Sequence, residues 1–324
     1  MPADLHLTLV LPGLLWPHQD IIVPVVPLPA LDKLRHWGQF SAQTSSRSQL
    51  FRQHLWQGSW VQQVCGQYNL DSSGNSLIAT PISQIAGMHQ LQYIDGKSLS
   101  LSIEEASAFC SVLNKWLQAE NWQFHPVKAN LWLLTSSQRM AFSVPSILDL
   151  GGSINSEIKP TGTDALLILQ RQTELQMLLY QHPINQQRSA RGLPTINSLW
   201  FEPDSAGTAD SKIPLYTNSS WAVNTHELPA NYAALADTMF GKDKDKIVLF
   251  NDALCTAVNQ GDVYLYTQIL QQWEQDWWQP LLNALQNKQL RQLNIHCENG
   301  LLQIRKPWLN FFRHKAKPFN GLSL

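Results

Sequence analysis

Short apolar runs alternate with helical patterns at both ends of this chain, while the stretch between them has a different texture. Few architectures accommodate both. Near the start, "LHLTLVLPGLLWP" places Leu5, Leu7, Leu9 and Leu11 in alternation with His6, Thr8 and Val10. That is the pattern of a buried strand, stopped by Pro12-Gly13. Residues 21–29, "IIVPVVPLP", hold three prolines, so they read as an extended connection rather than a central strand. Helical patterns follow at 30–37 and 46–66. Towards the other end, "KIVLF" (246–250) is a short apolar run of the kind that forms a buried strand. Asn251 and Asp252 then stand where a helix needs caps. Residues 262–287 read as one long helix rich in Trp, with Trp273, Trp277 and Trp278 as core residues. "LNIHCENGLLQIRK" closes the pattern as a hairpin around Asn299-Gly300.

Between about 75 and 160 the pieces are shorter. "LIATPI", "HQLQYI" and "LWLLTS" read as strands. Ser102 and Glu105 form a capping box ahead of the helical "SIEEASAFCSVLNKWLQAEN". Asp95-Gly96 is a hairpin cue. Thr161 and Asp164 stand at the start of a helix whose Ile168, Leu175, Leu178 and His182 share a face. Pro183 either kinks that helix or opens a new one, and Gly192 is placed to end it. "TINSLWF" follows as a strand, and the polar residues 202–220 as a long loop. The fold class expected is α/β: a mixed-sheet core with an inserted α+β subdomain. Residues 1–74 and 190–324 are expected to build the core, and 75–189 the insert with its return helix.

Composition narrows the function. The chain has 324 residues, enough for one large domain or two ordinary ones. Its net charge is −1, and no basic stripe points to nucleic acid. The dense charge run "KDKDK" (242–246) alternates in sign and reads as a solvated loop. Cys65, Cys110, Cys255 and Cys297 are far apart, with neither metal-site spacing nor a disulfide framework. The first residues lack the basic, then apolar, texture of a signal peptide. No apolar run approaches the ~18 residues of a membrane span. A cytoplasmic location, no membrane partner and no nucleic-acid partner are therefore expected.

The polar stretch "HPINQQRSARGLPTINSLWF" (182–201) holds the candidate ligand-binding residues His182, Asn185, Arg188, Arg191 and Asn197. Arg188 and Arg191 suit a phosphate or carboxylate, and His182 suits proton transfer. The opposing reading is a helix-to-strand corner, with the asparagines satisfying backbone groups and Arg188 paired to a carboxylate such as Glu174. Buried polar groups serve folds more often than sites, which favours the corner. His6, His18, His36, His54 and His89 are scattered without the spacing of metal ligands, and Asp71, Asp95, Asp149 and Asp164 read as turn or cap residues rather than catalytic ones. Gly-rich phosphate loops and Gly-x-Ser-x-Gly are absent from the sequence.

Residues 174–201 resemble the bacterial RpfE-type putative regulatory proteins. The resemblance rests on Glu174, Gln176, Met177, His182, Pro183, Asn185, Arg188, Gly192, Pro194, Asn197, Ser198 and Trp200, with weaker similarity in "LPGLLWP", "ATPISQI" and "WWQPLLNAL". The same segment is similar to archaeal-type cofactor-independent phosphoglycerate mutases. That resemblance implies the alkaline-phosphatase-like fold, a core of α/β layers interrupted by a smaller domain. Those enzymes end their first strand in Asp-Gly and later supply Asp-His-Gly, both for metal. Here the corresponding places hold Pro12-Gly13 and Ile295-His296-Cys297. The glycine run that follows the Trp in the RpfE-type proteins is replaced by "FEPDS". The expectation is a metal-free, cofactor-free, non-catalytic mutase-like protein with a regulatory or ligand-binding role, its partner a small anion or another protein. The alternative is an active phosphomutase or phosphatase acting on a small phosphate ester through an atypical site.

Overall fold

The structure is a computed structural model, and it describes residues 5–18, 20–71, 75–87, 91–151, 153–154, 158–239, 245–307 and 317–324. Most of the charge run at 242–246, and His89, lie outside them. The chain divides into two compact units, 1–55 with 208–324, and 56–207.

The chain enters the first unit through β1 (His6–Val10), α1 (Pro29–Trp37), β2 (Gly38–Ala42) and α2 (Arg47–His54). The second unit holds β3 (Gln57–Ser59), α3 (Trp60–Tyr68), β4 (Asn75–Ala86), β5 (Leu91–Ile94), α4 (Ile103–Trp116), β6 (Trp122–Lys128) and β7 (Leu131–Ser136). It continues with β8 (Ser153–Ile154), α5 (Ala165–Tyr180), α6 (Pro183–Ala190), β9 (Ser198–Pro203) and β10 (Ala206–Thr208). The return passes through β11 (Leu215–Thr217), β12 (His226–Glu227), α7 (Tyr232–Met239), β13 (Lys246–Phe250), α8 (Ala253–Gln260), α9 (Val263–Trp273), α10 (Gln279–Gln286), β14 (Gln292–Cys297) and β15 (Gly300–Ile304).

The first unit is built on a seven-stranded mixed sheet, β12-β11-β13-β1-β14-β15-β2. From β12 to β14 neighbouring strands are parallel, and β15 and β2 add on antiparallel. The alternation in β1 seats Leu7 and Leu9 in a core with Ile247 and Leu249 of β13 and Leu293 and Ile295 of β14. Leu31 and Leu34 of α1, Trp273 of α9, and Leu281 and Leu285 of α10 close over them. The helix expected over 262–287 is interrupted: residues 274–278 make a wider π-type turn. The three Trp are buried, as read from the sequence. This is the α/β mixed-sheet core of the expected class.

The second unit is α+β. Its antiparallel sheet runs β6-β7-β4-β5-β8, with β9 also on β4 and a separate β10-β3 pair. Ala106, Phe109, Cys110 and Leu113 of α4 recur at helical spacing and pack with Phe124, Trp132, Leu134, Ile168, Leu175, Leu199 and Phe201. The Ser102–Glu105 capping box forms as read.

Several expectations are corrected. The helical stretch expected at 46–66 is two helices, α2 and α3, separated by β3. Asp95-Gly96 does not make a hairpin: it opens one 3-10 turn, Gly96–Leu99, that feeds α4. Residues 202–220 contain β10 and β11, and β11 is a buried strand of the main sheet. Asp164 accepts the Ala141 N–H at 2.6 Å instead of capping α5 with its side chain. Strand β9, expected in the core, pairs antiparallel with β4. The units therefore divide at 55/56 and 207/208 rather than at 74/75 and 189/190. The reason is long-range pairing: β4 is twelve residues long and takes β7 and β9 on its two sides.

Candidate functional site

The polar corner at 182–201 is built from the second unit alone. Pro183 opens α6 as its first residue, and His182 caps it, its Nδ1 accepting the Ile184 N–H at 3.2 Å. The His182 ring is buried against Phe109, centroids 4.4 Å apart, and burial lowers its pKa. Asn185 donates to the Leu179 and Ile196 carbonyls, both at 2.7 Å, and accepts the Ile196 N–H at 2.8 Å. Asn197 does the same for Gln84, accepting its N–H at 2.7 Å and donating to its carbonyl at 2.8 Å. Both asparagines thus act as surrogate strand partners where the chain turns. The helix then ends in a Schellman motif. Gly192 has φ +69°, its N–H reaches the Ser189 carbonyl, and the Leu193 N–H reaches that of Arg188.

Arg188 is 0% exposed. It donates to the Pro194 carbonyl at 2.9 Å, the Ser100 carbonyl at 3.4 Å, the Leu99 carbonyl, and the Glu105 carboxylate at 2.6 Å. The expected partner Glu174 is instead paired with Arg171 at 2.6 Å. Glu105 also accepts the Ser102 N–H and, at 2.8 Å, Arg191, which is 56% exposed. Burial raises the Glu105 pKa, but the Ser102 N–H and the two guanidinium groups outweigh it and leave the group lowered. One carboxylate therefore ties the start of α4 to α6, and Arg188 covers the orphan carbonyls of the preceding turn. The polar atoms of His182, Asn185, Arg188 and Asn197 named here are spent on the fold, while Arg191 reaches solvent.

A second polar cluster lies in the first unit, at the carboxyl ends of its parallel strands. Open α/β sheets place ligands at such an edge. Here β1 ends in Pro12-Gly13, and the Gly13 N–H donates to Glu298 at 2.7 Å. Arg47 lies 3.5 Å from Glu298 and bonds Asn259 at 2.7 Å. Asn218, after β11, donates to Asn251, after β13, at 3.1 Å, and Asn251 caps α8 through the Ala253 N–H. His54, at the end of α2, lies 2.7 Å from His296 of β14, Nε2 to Nδ1. Burial, and then the neighbouring imidazole, lower the His54 pKa to about 4, and burial lowers that of His296. The pair is therefore neutral near pH 7, one ring donating to the other. The His296 Nε2 and Glu298 Oε2 atoms are buried with no hydrogen-bond partner among the described residues. Cys297 is inert, its thiol pushed up to about 12 by burial. The residue-level signal for this cluster was weak: His54 and His296 are 242 positions apart, and of the two only His296 falls at a place that the mutase resemblance singled out.

No family model matches the chain, and no curated relative matches it. Solved structures do. The PH0037 protein from Pyrococcus horikoshii aligns over 98% of this chain and 91% of its own, at TM-score 0.50 and 15% identity. A cofactor-independent phosphoglycerate mutase from Thermoplasma acidophilum aligns over 98% and 94%, at TM-score 0.41 and 12% identity. The likeness to the PH0037 protein is one of fold. The two-metal centre implied by the sequence resemblance does not fit the residues at the sheet edge. Pro12 offers no carboxylate, and among the described residues no three His, Cys, Asp or Glu converge to hold an ion.

Proposed function

We propose that this chain is a mutase-like protein that has left metal-dependent phosphoryl transfer and serves as a regulatory or ligand-binding protein, its partner a small anion or another protein. One observation carries the reading. At the edge where an α/β sheet presents its site, several polar groups are bonded to one another: Asn218 to Asn251, Arg47 to Asn259 and Glu298, and the Gly13 N–H to Glu298. They do not converge on a point where two cations could clamp an attacking and a leaving oxygen. The RpfE-type resemblance over 174–201 supports a regulatory role. The test is turnover of 2- and 3-phosphoglycerate by the purified chain with added manganese or zinc. Interconversion is expected to stay at the background rate, and metal-dependent turnover would refute the reading.

A second reading, an atypical phosphomutase or phosphatase, has one observation in its favour. The buried His296 Nε2 is unbonded among the described residues, and in the tautomer whose Nδ1–H donates to the neutral His54 it would carry the free lone pair of a nucleophile or base. Metal-independent hydrolysis of a phosphate monoester that disappears in His296→Gln would favour it.

A further inference from the structure

We infer that β2 is a docking edge for a second copy of this chain, the two β2 strands pairing antiparallel across a two-fold axis. An unpaired edge strand exposes a row of backbone donors and acceptors, and soluble proteins guard such edges with brevity, proline, lysine, bulges or a cover. The other described edges are guarded. Strands β12 and β8 have two residues each. Strand β6 carries Pro126 and Lys128, and its register shifts between His125 and Lys128. Strand β9 is buried along most of its length and ends in Pro203. Strands β3 and β10 have three residues each. Strand β2, "GQFSA", has five residues, no charge and no proline, and Gln39 to Ala42 are exposed.

The register says which groups are free. Gln43 N–H bonds the Asn299 carbonyl, in step with the β15–β2 ladder. Alternation in an antiparallel pair then turns the bonds of Gln39 and Ser41 towards β15. Phe40 and Ala42 present their N–H and C=O outward, where no bond to a described residue meets them. Gly38 presents its C=O alone, because its N–H is held by the Arg35 and Leu34 carbonyls at the end of α1. Pairing centred on Phe40 meets this set: the two Phe40 residues exchange both bonds, and each Ala42 N–H meets the Gly38 C=O of the other copy. The occupant is a second copy because the strand is complementary to itself about Phe40. It carries no charge to repel its image, and its half-exposed Phe40 ring sits beside the same ring across the axis.

The test is sedimentation of the full chain over a wide concentration range, for wild type, Ala42→Pro and Phe40→Lys. Ala42→Pro removes one outward donor and no bond to β15. Phe40→Lys sets two like charges across the axis. A concentration-dependent dimer is expected for wild type, weakened about tenfold or more by each substitution. A wild-type chain that stays monomeric at the highest concentration overturns the inference. So does a dimer that Phe40→Lys leaves unchanged, a substitution on an exposed strand that tests the edge even if Ala42→Pro does not fold.

Discussion

Arg188 and Arg191 sit three positions apart on the chain and share one carboxylate, yet their expected roles in stability differ. Removing Arg188 leaves the Leu99, Ser100 and Pro194 carbonyls and half of Glu105 without their donor. Arg188→Ala is expected to cost about 3 kcal/mol, which is roughly 6–12 °C for a unit of this size. Arg191 is largely exposed, and Arg191→Ala is expected to cost no more than about 0.5 kcal/mol. Thermal melts of both beside wild type check the contrast; equal shifts would contradict the corner described here. The corner itself was readable in the sequence, because His-Pro, Asn185 and a Gly stop each have a local use, whereas Asn197 bonds Gln84, 113 positions away. The partner of Arg188 was not, since Glu105 lies 83 positions away and only the tertiary fold joins them. The His54–His296 pair yields a pH prediction. In the unfolded chain His54 titrates near 6.5, and in the fold at about 4. Below pH ~6.5 the unfolded state therefore binds a proton that the native state refuses. The stabilisation is complete above about pH 6.5, falls as pH drops towards 4, and changes no further below that. His54→Gln is expected to flatten this fall by ~2 kcal/mol between about pH 7.5 and about pH 4.5. Urea melts at the two pH values measure it, and parallel losses in variant and wild type would count against it.

At the scale of elements, local signals located the strands and helices that carry their own punctuation. Pro12-Gly13 ended β1, Ser102 and Glu105 opened α4, and Asn299-Gly300 closed the β14–β15 hairpin. Elements that depend on distant partners were hidden. Strand β11 is only Leu215–Thr217, too short to show a period, and is ordered by lying beside β13. The Asp95-Gly96 pair has hairpin chemistry, but Gly96 at φ +58° starts a 3-10 turn whose carbonyls Arg188 covers. Gly300 in the closing hairpin has φ +151°, and a Cβ there would lie 2.3 Å from the Ser41 carbonyl oxygen. Gly300→Ala is therefore expected to destabilise the first unit by about 3 kcal/mol through backbone strain and displacement of β2. Denaturant titration followed by Trp fluorescence measures this, and a change within ~0.5 kcal/mol would show that β2 yields without cost.

At the scale of the whole molecule, the sequence's change of texture near 75 pointed to an interrupted core, but the boundary residues were set by pairing that no local pattern reveals. Strand β9 reads as a core strand because it follows a helix and is almost wholly apolar at 199–201; β4 claims it instead. Residues 56–207 have their own apolar core, so this fragment, expressed alone, is expected to melt cooperatively and to keep Arg188 protective. A fragment without a cooperative transition would contradict the division. The carboxyl edge of the seven-stranded sheet is cross-bonded to itself, and among the described residues it has no convergent ligand set. Elemental analysis after equilibration with manganese and zinc and then gel filtration tests it most directly. Less than about 0.2 ion per chain is the expected result, and about two ions per chain, the stoichiometry of a two-metal phosphotransferase, would contradict the account.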